Sequence, residues 1–519
     1  MRHSHYGVLP VSIRQNSNIL FVLACGFLFV GCDAFSPPDA VFVVREETNQ
    51  LTSNVSNAVE AELDNSFGNP HQLVAWLKLP VDFGGVMGAT EESTLEGPLN
   101  KFPVTFDTEA DEKFIAQFQN DDGDFKFGES GARLDWMTGE YAGKSMQVIG
   151  YDAETQLLTT KEKVEVPPAA GDTFVLSAGD TLKSGRALYM EHCLHCHGVS
   201  GDGNGPTALY LNPRPRDYRL GQFKFKSTKP AEKVRQEGLG RVIKYGIPGT
   251  YMPSFLLLED EELYAIVEYV RWLSMRGELE YRVDQELVLA SGLTNKIIAE
   301  RKADGDDSEE IQEEIDEAVA NMPVLFDDLA GQLAESWLLA EEEGSLIVPA
   351  VARVEDSFES RARGRKFFLE KCTNCHGHKG RGNGSMTEDY QKNEETGELY
   401  AEPGLFDIWG NSVKPRNLTQ GVYRGGRRPV DLFYRLYGGI GPSKMPNFAT
   451  TDPQILWDTV NYVLHVPFET PGEYIEVDKE YFESKKKSGG DEEKAADEEA
   501  ATTETKQTAT GSTESSDQG

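Results

Sequence analysis

Ile19 to Val30 form an apolar run with Arg2 and Arg14 on its polar side and Gly31-Cys32 behind it. A run of about a dozen residues falls short of the roughly 20 that a membrane-spanning helix needs, and its order of polar, apolar and small residues is that of an export signal. No other segment is long and apolar enough to span a bilayer. Residues 32–60 are polar without periodicity and predict a tether. Over 61–177 the pattern is mixed. It predicts a helix around His71 to Leu79, an alternating hairpin from Ser145 to Lys161 that turns at Tyr151 to Thr155, and a strand from Thr173 to Leu176. A small α+β domain fits these signals, and its sequence shows no catalytic cluster.

Two later stretches, 178–285 and 351–475, repeat one pattern. Gly185-Arg186 stands before Cys193 as Gly364-Arg365 stands before Cys372, and Gly198, Gly201, Gly203, Asn204 and Gly205 match Gly377, Gly380, Gly382, Asn383 and Gly384. The second copy is longer, with room for an inserted loop at Glu388 to Asp407. Register returns at Gly246-Ile247 and Gly439-Ile440. Residues 180–196 and 357–375 predict helices running into the cysteines. Leu263, Ile266, Val267, Val270 and Leu273 keep a 3.6-residue period, so each copy closes on a helix. In the second copy Thr451-Asp452-Pro453 is a helix start, a capping side chain followed by proline near the first turn.

Between the copies, 286–350 is an acidic helical linker; over 301–346, 15 acidic residues face only Arg301 and Lys302. Residues 476–519 are an acidic tail, and from Ser484 its only apolar side chains are alanines. Such a tail buries too little surface to offset its ordering entropy, which predicts disorder.

Composition changes this picture little. A chain of 519 residues exceeds one ordinary core, and 39% apolar residues with 50 glycines is normal for globular sequence. The net charge of -35 excludes a protein built mainly to coat nucleic acid. Two loops run against that charge. From Arg214 to Lys244 ten Lys or Arg face three acids, and from Lys414 to Arg435 six face Asp431 alone.

Six cysteines, at 25, 32, 193, 196, 372 and 375, are too sparse for a disulfide scaffold. Four of them form Cys193-Leu194-His195-Cys196-His197 and Cys372-Thr373-Asn374-Cys375-His376, both C-x-x-C-H, the attachment motif of c-type haem. Two thiols three residues apart can add to the two vinyl groups on one porphyrin edge, which places His197 or His376 under the iron. A zinc site drawing on both cysteine pairs and simple disulfides leave the two histidines unexplained, and a thioredoxin-like redox pair expects one C-x-x-C near a βαβ pattern, which the sequence lacks. Met252 and Met445 share a Met-Pro-x-Phe context after a glycine-rich approach, which makes them candidates for the sixth iron ligand, where a thioether favours ferrous iron. Met190 and Met386 lie too near their own histidines, and Met275 falls at the end of the closing helix. His192, His195, His378 and His465 are expected to be surface or packing residues.

Each repeat resembles a class I cytochrome c domain, and the chain is similar to exported dihaem c-type cytochromes, some of them subunits of respiratory complexes. The resemblance covers about 200 residues and implies a mainly α fold, one haem per repeat, and a backbone carbonyl at a Gly-Pro step accepting a hydrogen bond from the proximal histidine. Gly205-Pro206 would serve His197; Gly384-Ser385 lacks the proline, so His376 would be less rigidly held. Phe29-Val30-Gly31-Cys32 resembles the lipobox of bacterial lipoproteins, which makes Cys32 the candidate lipid anchor although Phe29 departs from the usual Leu.

The expected function is single-electron transfer in a periplasm-facing respiratory chain, with partners among quinol-oxidising complexes, dehydrogenases, terminal oxidases or other cytochromes, contact with the membrane through the anchor, and no nucleic acid. The alternatives are a dihaem cytochrome c peroxidase, which must keep one iron open, and a cytochrome subunit of a larger membrane oxidoreductase. Pro215-Arg216 and Pro415-Arg416 align, so Arg216 and Arg416 are candidates to neutralise haem propionates. The basic loops, with Lys224 and Lys226, are expected to steer partners to the haems.

Overall fold

The computed structural model describes residues 40–486 apart from 77, 92–99, 107–131, 153, 177–178 and 394–395, so the export signal, Cys25, Cys32 and the tail beyond 486 lie outside the described residues. The elements belong to one compact unit that begins at Phe42.

The stretch expected to be a tether is helical from Glu46. After a short helix at Glu46–Gln50, helix α1 spans Ser53–Phe67 and buries Val55, Val59, Leu63 and Phe67. Those residues stand four apart, a single narrow stripe among polar neighbours. Tertiary packing sustains the helix: Phe67 meets Trp272 with ring centroids 5.6 Å apart. Among the described residues of His71 to Leu79 no helix forms. Asn69 Oδ1 accepts the backbone N–H groups of His71 and Gln72, a local turn that competes with helix nucleation, and Gln72–Leu73 pairs with Gly68–Asn69 instead.

Strands β1 (Val86–Thr90), β2 (Lys101–Phe106), β3 (Ala132–Trp136), β4 (Ser145–Asp152), β5 (Leu157–Thr160) and β6 (Thr173–Leu176) close an antiparallel barrel in the order β1-β2-β5-β4-β3-β6. Phe102, Val104, Leu134, Trp136, Val148, Leu158 and Phe174 fill it. β4 and β5 are the expected hairpin, with Asp152 opposite Leu157. The domain expected to be α+β is thus a β-barrel. Its preceding helices belong to a different core, shared with the first repeat.

That core surrounds a long helix. α2 (Asp180–His192) ends at the first cysteine motif, α3 (Gln236–Tyr245) precedes the methionine loop, and α4 (Asp260–Asp284) closes the repeat. α5 (Asn295–Asp304), α6 (Ser308–Ala320) and α7 (Met322–Glu341) make up the acidic segment; α7 packs on α4 and buries Phe326, Leu333 and Trp337. Because α1, α2, α3 and α7 enclose α4, its whole circumference is buried rather than one stripe. Met275, expected at the helix end, lies within it and is fully buried. The second repeat follows as α8 (Phe358–Lys371), α9 (Pro429–Gly438) and α10 (Pro453–His465), with Asp452 capping α10 by accepting from Gln454 N–H.

The repeated Gly-Arg step has a packing cause. A Cβ on Gly185 would stand 2.0 Å from the Ala265 carbonyl oxygen, and one on Gly364 would stand 2.1 Å from that of Asp458. In both copies the helix carrying the cysteines crosses the closing helix at backbone contact. The tail is also more ordered than expected. A helix covers 475–486, pinned where Asp478 pairs with buried Arg365 at 3.0 Å.

Candidate functional site

Each repeat encloses a cavity of about 260 Å³ in the first copy and about 200 Å³ in the second. Cys193, Cys196, His197, Met252 and Arg216 line the first; Cys372, Cys375, His376, Met445 and Arg416 line the second. The structure therefore gathers the candidates into two sets, one per repeat.

The chain makes each set by the same local folding. At the end of α2 a single turn, Leu194–His197, brings the His197 N–H to the Cys193 carbonyl at 2.9 Å. The loop then doubles back: Gly203 N–H reaches His197 O at 3.0 Å and Gly205 N–H reaches Cys196 O at 3.1 Å. Gly382 and Gly384 repeat these bonds at 2.8 and 3.0 Å. A Cβ on Gly205 would lie 2.4 Å from Leu194 O, and one on Gly384 2.2 Å from Asn374 O, so this return excludes side chains. The methionine loop is fixed in parallel. Ile247 N–H bonds Met252 O at 3.2 Å, and Ile440 N–H bonds Met445 O at 2.9 Å.

The four motif cysteines form no disulfide, and among the described residues no group of three or more His, Cys, Asp or Glu could hold a metal ion.

His197 Nδ1 lies 3.2 Å from the Arg216 carbonyl oxygen, and His376 Nδ1 lies 3.2 Å from that of Arg416. A carbonyl only accepts, so Nδ1 carries the proton and the Nε2 lone pair is left for the cavity. Burial also lowers both histidines, His197 to about 4, which keeps each ring neutral. The expected Gly-Pro acceptor is therefore corrected. In both repeats the residue after Pro215 or Pro415 supplies the carbonyl, and the missing proline after Gly384 leaves His376 as well held as His197.

The arginines expected beside the haem carboxylates, Arg216 and Arg416, each line one cavity and also make contacts beyond it. Arg216 places its guanidinium 4.0 Å from the ring centroid of Trp409, in the second repeat, with Asp407 nearby; burial lowers it to about 10. Arg416 donates Nε–H to Val422 O at 2.9 Å and packs against Gly249 of the first repeat. The repeats are further joined by Arg241, which clasps Asp431 with two bonds of 3.1 Å. Lys224, Phe225 and Arg424 line both cavities, so the two sites adjoin. Phe225 and Arg424 were missed from sequence, and Lys224 was expected to meet partners rather than to line the cavities. The available signal was register: Lys224 follows Arg216 by the interval at which Arg424 follows Arg416.

Several charges of the first basic loop, expected to steer partners, are engaged within the fold. Lys226 donates to the carbonyls of Lys229 and Pro230 at 3.0 and 2.8 Å, an internal turn clamp. Arg219, Lys233, Arg235 and Arg241 pair with Asp217, Glu278, Glu341 and Asp431. Lys224 lines both cavities. Glu341 belongs to the acidic segment, so part of that charge neutralises this loop.

No curated protein matches the chain. A chain of a reducing HAO-like protein complex from Kuenenia stuttgartiensis is similar at 21% identity, covering 55% of this chain and 96% of that one with a TM-score of 0.38. A likeness at that level carries no argument. The cytochrome c family model matches two segments, residues 182–274 and 361–467, which are the two repeats. The chain thus contains two cytochrome c domains, and with them two covalently bound haem c groups.

Proposed function

We propose that this protein relays single electrons between two His/Met-ligated haems in a periplasm-facing respiratory chain. The observation that carries the reading is the duplicated set: in each cavity a neutral histidine held through Nδ1, two thiols and a methionine from a separate loop. Cys193 and Cys196 would anchor one haem and Cys372 and Cys375 the other. His197 and His376 would offer Nε2, and Met252 and Met445 the thioether. When bound, each haem supplies a one-electron ferrous/ferric couple. The chain's part is to orient the histidines, exclude water with Phe255 and Phe448, and keep the two cavities side by side. No substrate needs to reach either iron, and the matched methionines give a peroxidase no open position.

The partners we propose are a quinol-oxidising complex or dehydrogenase on one side and a terminal oxidase or another cytochrome on the other. Lipidation at Cys32 would hold the protein to the membrane surface; among the described residues no helix is long and apolar enough to cross it. Mass spectrometry of the mature N-terminus tests the anchor, an unmodified Cys32 being the adverse result. Mixing the reduced protein with CO tests the relay. Slow or absent binding at both haems is expected, and rapid binding at one would favour the peroxidase.

A further inference from the structure

Among the described residues Arg424 is a half-buried cation with no anion paired to it. Its Nε is buried and has no hydrogen-bond partner among them, and desolvation, with Arg416 close by, lowers its pKa. The carboxylates near this wall are engaged elsewhere. Asp431 is held by Arg241 and Arg428, while Asp407 accepts the backbone N–H groups of Trp409 and Asn411. Arg435 donates to the carbonyls of Arg424 and Gly426, which fixes the backbone that presents Arg424. A partly desolvated guanidinium left in this state is costly, and carboxylates matching its fork would offset the cost. Lys224 occupies the equivalent place in the first repeat, and both residues line both cavities.

Building on the relay reading, we infer that Lys224 and Arg424 form one shared clamp for the carboxylate groups of both haems. Arg216 and Arg416, the residues expected in that role, line one cavity each and are partly engaged with Trp409 and the Val422 carbonyl, whereas Lys224 and Arg424 line both. The clamp makes the wall between the cavities a common electrostatic element. A positive charge there disfavours the ferric state of either haem, so its loss lowers both potentials together.

The test is an optical redox titration of the purified full-length protein over a range of pH, with Arg424→Gln, Arg424→Lys and Lys224→Met beside the wild type, and covalent haem counted in each. Arg424→Gln is expected to shift the reduction equilibrium of both haems about tenfold towards ferric, about 59 mV each. Both potentials should also become more pH-dependent near neutrality as the carboxylates lose their cation. Arg424→Lys should restore most of the shift. Two haems present with only one midpoint moved, or neither, would overturn the clamp. Should Arg424→Gln not accumulate, Lys224→Met decides by the same criterion. Fewer than two covalent haems in the wild type would instead count against the relay reading.

Discussion

α4 and α10 close equivalent cavities, yet α4 runs 25 residues inside a jacket of helices whereas α10 runs 13. On α4 the jacket buries Glu268, Arg271, Arg276, Glu278, Glu280 and Asp284. Glu268 takes bonds from Arg271, Gln236 and the Asp82 N–H, and Glu278 takes them from Lys233, Arg282 and Trp337. On α10 the counterpart is Asp458, buried but served by Arg363, which remains half exposed. The two sites are nevertheless held alike, down to the same 3.2 Å bond at each histidine. Site geometry therefore depends on the repeated loops and the glycine crossing, while the added helices give the closing helix of the first domain more buried charges than that of the second.

Breaking one buried pair should show the difference most strongly. Arg271→Met strands Glu268, and a cost of about 3–5 kcal/mol is expected in denaturant unfolding. Arg363→Met should cost less, about 1–3 kcal/mol, because that guanidinium is half exposed and Ser360 still donates to buried Asp458. Equal costs would remove the contrast between the domains.

Asp284 sharpens it through pH. Burial raises its carboxyl to about 7; Thr48 bonds pull it down, and Glu280 pushes it further up. The folded chain thus keeps a proton that the unfolded chain releases near pH 4. Stability from this group is full below about pH 4 and is lost as pH rises towards 7, by at most about 4 kcal/mol. Asp284→Asn should flatten the curve of stability against pH in that window. An unchanged slope would place the titration elsewhere.

The crossing glycines should respond equally. Gly185→Ala and Gly364→Ala each force apart a helix pair in backbone contact, and each should cost about 1–3 kcal/mol. If only one did so, the two crossings would not be equivalent.

Much of this was legible from residues whose chemistry is unusual at fixed spacing: the two C-x-x-C-H motifs, the repeated glycines and the Met-Pro loops. The rest depended on neighbours distant in sequence. α1 has four apolar residues in a stripe and little else, so it reads as a tether until Trp272 is brought against Phe67. The charges of α4 look solvent-facing until α7 covers them. The acceptor for each histidine is a backbone carbonyl, which residue identity does not encode. Lys224 and Arg424, 200 positions apart, meet at one wall only because the two repeats face each other there.

The central claim, two like sites each ligated by its own methionine, is tested most directly by redox titration of the wild type beside Met252→His and Met445→His. Two low-spin one-electron transitions are expected in the wild type, and each variant should markedly lower one of them while mainly sparing the other. A high-spin component in the wild type, or a variant that displaces neither transition, would contradict the account.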